Sequence, residues 1–121
     1  MSFRRILREL VESVPGSVGA VFADDEGEPV EQITRNGDAY HICFLGAHNG
    51  LLLNSVKKLS AAAGTGDPKA IHVRTEKLDF FTAPVYDGYF IVLAVESNPP
   101  SFRAGFAINQ AVRSIREEMG Y

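Results

Sequence analysis

Apolar residues recur along the first fourteen positions at helical spacing. Phe3, Ile6, Leu7, Leu10, Val11 and Val14 share one side, while Arg4, Arg5, Arg8, Glu9 and Glu12 fill the other. This period predicts an amphipathic helix, capped by Ser2 and stopped by Pro15-Gly16. The pattern then changes. Ser17 to Asp24 (SVGAVFAD) is a short apolar run of small and β-favouring residues, which predicts a strand buried on both faces. Asp25-Glu26-Gly27 reads as a turn. Glu28 to Arg35 alternates weakly and carries Pro29, which places it at a sheet edge as the outer arm of a hairpin.

Asn36-Gly37-Asp38 breaks the chain, and Asp38 is placed to cap a long helix running to about Ala63, where Gly64-Thr65-Gly66-Asp67-Pro68 stops it. Two strands follow. Lys69 to Glu76 puts Ile71, Val73 and Thr75 on one face and Ala70, His72, Arg74 and Glu76 on the other. Leu78 to Val85 comes next, and Asp87-Gly88 is a hairpin signal. Tyr89 to Glu96 (YFIVLAVE) is apolar on both faces, which predicts a central strand. Ser97 to Ser101 is a loop, and Ser101 caps a last helix with Gly105, Ile108, Val112, Ile115 and Met119 on its apolar stripe.

The order α-β-β-α-β-β-β-α, with strands apolar on both faces, requires helices on both sides of the sheet. The expected architecture is a three-layer α/β/α (α+β) domain around a five-stranded antiparallel sheet. No repeat or linker divides it, so residues 1–121 read as one domain.

The middle helix has more apolar faces than one sheet can cover. Tyr40, Phe44, Leu51 and Leu59 line one side, and Ile42, Leu45, Leu52 and Val56 wrap around it. Ala39, Cys43, Gly46, Ala47 and Gly50 make a row of small residues. Each helical glycine costs about 0.8–1 kcal/mol relative to alanine, a cost offset where another backbone comes close. The expectation is a homodimer in which this small row meets a partner's equivalent helix, since a small monomer seldom exposes so large an apolar surface. Lys69, Ile71, Val73 and Arg74, on a strand that looks like an edge, would join the same interface.

Composition narrows the function classes. The 121 residues are 45% hydrophobic and 22% charged with a net charge of −3, a globular balance without the clustered basic surplus of a nucleic-acid binder. The single cysteine, Cys43, allows no internal disulfide. No apolar run is long enough to insert in a membrane, and the basic start leads into an amphipathic pattern instead of a signal peptide; the expected location is the cytoplasm. No cofactor signature is present. Gly64-Thr65-Gly66-Asp67 lacks the lysine and the strand–loop–helix setting of a phosphate-binding loop. His41 and His48 lie roughly 10 Å apart along a helix, too far to share one metal ion, and His72 lies on a strand. Cys43 and His41 are two residues apart on a helix and do not face each other. Asp24, Asp25 and Glu26 read as a solvated turn. No catalytic, cofactor or metal residue is assigned.

Three stretches resemble the Roadblock/LC7 family, particularly its prokaryotic members that work with Ras-like GTPases. They are LRELVESVPGSVGAVFADDEGEPV (Leu7 to Val30), KKLSAAAG (Lys57 to Gly64) and LDFFTAPVYDGYFIVLAVESN (Leu78 to Asn98). The resemblance implies the middle helix on one face of the sheet and the terminal helices on the other. It also implies dimers that pair middle helices and join third strands, and a role as scaffold or regulator of a small Ras-like GTPase. A docking surface on the paired helices would then use His41, His48, Asn49, Asn54, Lys57 and Lys58. The chain departs from the family where Thr75-Glu76-Lys77 replaces a glycine-containing turn. The alternative reading is a ligand-sensing domain of the PAS or GAF kind, which needs an internal pocket. Phe22, Phe80, Phe81, Phe90 and Phe106 are expected to fill the core instead.

Overall fold

The computed structural model describes residues 2–35, 37 and 39–121, and the backbone alone at Ala39, Tyr40, Cys43 and Phe44. The element order is α1 (Phe3–Ser13), β1 (Ser17–Ala23), β2 (Pro29–Thr34), α2 (Ala39–Ala63), β3 (Ile71–Arg74), β4 (Leu78–Tyr86), β5 (Tyr89–Glu96) and α3 (Ala104–Glu118). The strands form one sheet in the order β2-β1-β5-β4-β3, with every neighbouring pair antiparallel. This is the expected α+β architecture in the expected order. The two strands read as apolar on both faces, β1 and β5, take the interior positions such a pattern demands.

Side chains alternate across the sheet and feed two cores. Toward α1 and α3, Ala20, Phe22, Phe81, Ala83, Val85, Ile91, Leu93 and Val95 pack on Ile6, Leu7, Leu10, Val11, Ile108 and Ile115. Toward α2, the smaller core joins Val21, Ala23, Phe90, Val92 and Ala94 to Ile42 and Leu53. Phe22 and Phe90 are both fully buried, one on each side.

Local signals hold the ends. Ser2 Oγ accepts the Arg5 amide at 3.2 Å. Ser101 Oγ accepts the amides of Arg103 and Ala104 at 3.3 and 3.2 Å. The Asp87-Gly88 turn has positive φ at both residues, 53° and 86°, the backbone of a type I′ hairpin. The cap expected of Asp38 lies outside the described residues. The Thr75-Glu76-Lys77 turn closes without glycine. The Thr75 amide and hydroxyl both donate to the Leu78 carbonyl, and the hydroxyl accepts the Leu78 amide at 3.1 Å. Ser97, just past the end of β5, braces this turn, its amide on the Lys77 carbonyl and its hydroxyl on that of Glu76.

Two expectations for the last helix need correction. Gly105 is exposed, with open space around it, and Phe106 is 66% exposed instead of lying in the core. The buried stripe of α3 is Ala104, Ala107, Ile108, Ala111 and Ile115, with Met119 half-buried beyond its end. The reason is the neighbouring helix. Ala107 and Ala111 line the groove where α1 brings Ile6 and Leu10 alongside, and bulkier residues there would hold the two helices apart. The third strand is also shorter than its sequence suggests, four residues instead of eight.

Candidate interaction surface

The middle helix carries the candidate site, and its phase on the sheet decides which residues are available. Ile42, Gly46, Asn49, Gly50 and Leu53 face inward and are buried. A Cβ built on Gly46 would lie 2.6 Å from Val21 Cγ1, and one on Gly50 would lie 2.8 Å from Phe90 Cζ. The two glycines therefore seat α2 on its own sheet. This corrects their assignment to a helix–helix interface: the close backbone approach exists, but within the chain. Ala47 is exposed beside the β1–β2 turn, 3.4 Å from where a Gly27 Cβ would stand. The side chains of Ala39 and Cys43, the other members of the small row, lie outside the described residues.

Asn49 is likewise turned inward. Its amide donates to the Leu45 carbonyl at 2.8 Å, and its side-chain oxygen accepts the Thr82 hydroxyl at 3.1 Å. Both side chains are buried, so Asn49 belongs to the packing of α2 on β4 and is withdrawn from the docking residues. His41, His48, Asn54 and Lys58 are exposed and Lys57 is half-buried.

The helix sits off-centre. It packs over β2, β1 and β5 and makes little contact with β4 or β3. On the side facing β4 and β3 it presents Leu45, Leu52, Val56 and Leu59, at three-, four- and seven-residue spacing. Leu45 and Val56 are half-buried, Leu52 is 37% exposed and Leu59 68%. The sheet surface beside this flank is apolar too. Ile71 and Phe80 are half-buried and pack on the α2-side core, and Val73, paired with Phe80, points the same way. Helix flank and sheet ledge meet at an angle and form one apolar notch. Leu51, at 66% exposure, lies on the far side of α2 beside Asp25, Glu26 and Asn54.

The notch opens onto the free edge of β3. Arg74 and His72 project from the opposite face of that strand, where each places a nitrogen 3.4 Å from Asp79 Oδ2. His72 also stacks on Phe81 at 4.0 Å. Asp79 is buried, and its Oδ1 has no partner among the described residues. Arg74 is thus bound up with β4 on the terminal-helix side, while Ile71 and Val73 line the notch. Lys69 is exposed just before β3. The far edge of the sheet is covered differently: Arg4 reaches over β2 to Glu31 at 3.1 Å and to the Gln32 carbonyl at 3.4 Å.

Among the described residues no three His, Cys, Asp or Glu side chains gather to hold a metal, and no helix is long and apolar enough to cross a membrane. What the sequence pattern did not single out is Phe80, expected in the core, which joins Ile71 and Val73 as the notch's second wall. The signal was present as alternation in β3 and β4, but only the off-centre seat of α2 leaves it uncovered.

No family model and no curated protein sequence matches the chain. Its backbone, however, is similar to solved structures along nearly its whole length. A Roadblock/LC7 domain from Streptomyces avermitilis superposes with a TM-score of 0.86 at 16% identity, covering 98% of both chains. Myxococcus xanthus MglB superposes with a TM-score of 0.85 at 9% identity, covering 98% of this chain and 94% of the other. MglB in a tetrameric arrangement gives 0.84 at 12% identity, covering 95% and 85%. The chain has the Roadblock/LC7 fold.

Proposed function

We propose that this Roadblock/LC7-fold chain is a homodimeric, non-catalytic scaffold and regulator of a small Ras-like GTPase, paired through α2 and the β3 edge. One observation carries the reading: the second apolar flank of α2, Leu45, Leu52, Val56 and Leu59, stands beside an uncovered ledge of Ile71, Val73 and Phe80. A second copy brings the same flank, related by a two-fold axis, so each helix fills the other's notch. The β3 edges then run side by side, with Lys69 at the rim. The tetrameric arrangement of MglB, which shares the fold, supports self-association.

The GTPase part of the proposal rests on the resemblance to the Roadblock/LC7 family and on the fold shared with MglB. In a dimer of this kind the outer surface of the two α2 helices remains open. It displays His41, His48, Leu51, Asn54, Lys57 and Lys58, a mixed polar and apolar rim suited to a reversible contact. A regulator of this kind accelerates hydrolysis by holding the GTPase's switch segments in their reactive arrangement, without contributing a catalytic arginine.

The test is GTP hydrolysis by Ras-like GTPases with and without the protein, followed by Lys57→Glu with Lys58→Glu in a variant shown to remain dimeric. The proposal expects hydrolysis or nucleotide-dependent binding to change with the protein and to weaken in the double reversal, with altered salt dependence. No effect on any GTPase in either nucleotide state overturns the regulator reading. An unaltered effect of the double reversal moves the docking surface off α2.

A further inference from the structure

The layer opposite α2 also exposes large apolar side chains, among them Phe102, the most exposed among the described residues. Phe102 is 93% exposed and Phe106 is 66% exposed. Phe102 lies just before Arg103, the N-cap of α3, and Phe106 lies in the first turn of the helix; Gly105, which has open space around it, comes between them in the sequence. Two phenylalanines in that position contribute nothing to the core, whose α3 residues are Ala104, Ala107, Ile108, Ala111 and Ile115. Single exposed apolar residues need no explanation, but an adjacent aromatic pair at such exposure marks a contact surface.

The charges along the same face give it a sign. Phe106, Gln110 and Arg113 follow at three- and four-residue spacing on the exposed side of α3 with Asn109 beside them, and Arg103, its N-cap, and Phe102 precede this stripe. Neither Arg103 nor Arg113 meets a carboxylate among the described residues. This contrasts with Arg4 and Arg5, which pair with Glu31 and Glu9, and with Arg116, which donates to the Val85 carbonyl and lies 5.2 Å from the Tyr86 ring. No acidic residue enters the stripe before Glu117. In a chain of net charge −3, two exposed phenylalanines flanked by guanidiniums that meet no carboxylate among the described residues make a local positive, apolar face. Phenylalanine offers large rigid contact area, and arginine offers a fork that matches a carboxylate.

We propose that the outer face of α3 is a docking surface for an acidic amphipathic helix of another protein, its apolar residues on Phe102 and Phe106 and its carboxylates on Arg103 and Arg113. The 15 residues of α3 span about 22 Å, enough for four turns of such a helix to lie alongside. The surface exists on a single chain, because α3 and α2 lie on opposite sides of the sheet. It therefore does not rest on the dimer, and in a dimer it would be displayed twice, leaving α2 free for a different partner.

The experiment pans the folded full chain against a displayed library of randomised peptides of about 16 residues, some 24 Å when helical. The enriched peptides are then measured by fluorescence anisotropy on the wild type, on Phe102→Ser with Phe106→Ser, and on Arg103→Glu with Arg113→Glu. All four substitutions are at exposed positions, and thermal melts confirm that the fold is retained. The expected result is enrichment of acidic peptides with apolar residues at helical spacing. Their affinity should fall by about tenfold or more in each double variant, the size of loss typical of central anchors. Four results overturn the proposal: no enrichment, enrichment of basic peptides, unchanged affinity in the phenylalanine double variant, or self-association of the chain that the same variant abolishes. Binding of the wild type to vesicles of phosphatidylcholine with phosphatidylserine, lost in the phenylalanine variant, also overturns it in favour of a membrane-contacting face. Hydrolysis assays with the α2 variants are independent of each of these outcomes.

Discussion

The Asn49 side chain accepts a hydrogen bond from the Thr82 hydroxyl at 3.1 Å, in the buried space between the middle of α2 and the middle of β4. Because α2 otherwise packs over β2, β1 and β5, this bond is its polar tie to the uncovered half of the sheet. It fixes the rotation of the helix and hence which leucines face the notch. Asn49→Ala removes the acceptor and leaves a buried hydroxyl without it. The expected destabilisation is about 1–3 kcal/mol, read as a lower denaturant midpoint with an unchanged slope. An unchanged midpoint would show that the tie adds nothing to the fold.

Glycines in α2 and α3 should respond in opposite directions. Gly46→Ala gains helix propensity of about 1 kcal/mol, but its methyl would meet Val21 Cγ1, a short, stiff and buried side chain, at 2.6 Å. Overpacking of that kind costs about 1–3 kcal/mol, so the net effect is a loss of stability. Gly105→Ala meets nothing and should stabilise by about 0.5–1 kcal/mol. Thermal melts of the two variants check both signs. A stabilised Gly46→Ala would place that glycine away from the sheet.

The contrast between those glycines shows where the sequence ceases to be legible. The element order, the two doubly buried strands and the Asp87-Gly88 hairpin were all readable, because each depends on local periodicity or turn chemistry. The phase of α2 was not. A helix apolar nearly all round has no preferred face in its own pattern, so the row containing Gly46 and Gly50 pointed equally well inward or outward. Val21 and Phe90, far away in sequence, settle it by filling the space those glycines leave. Phe106 was misplaced for a related reason: alanines are buried on α3 because α1 runs close by, and helical spacing alone does not report a neighbour.

The turn after β3 offers a third check. Thr75 Oγ both donates to the Leu78 carbonyl and accepts the Leu78 amide, doing with a side chain what a glycine turn does with backbone freedom. Thr75→Val keeps the shape and removes both bonds. Since the site is exposed, the expected loss is modest, about 0.5–1.5 kcal/mol. The more telling readout is faster amide exchange at Leu78, and an unchanged exchange rate would mean that the backbone holds the turn by itself.

Self-association through the notch is the claim on which the proposed function depends most, and the oligomeric state tests it directly. Leu52 and Leu59 are exposed in the single chain, so Leu52→Glu with Leu59→Glu should leave the protomer folded and its circular dichroism unchanged. Sedimentation equilibrium across micromolar concentrations is the measurement. The account predicts twice the chain mass for the wild type, as expected of an interface burying about 1,200–2,000 Å², and the single-chain mass for the double variant. A wild type that stays at the single-chain mass, or a double variant that still sediments as a dimer, would contradict it.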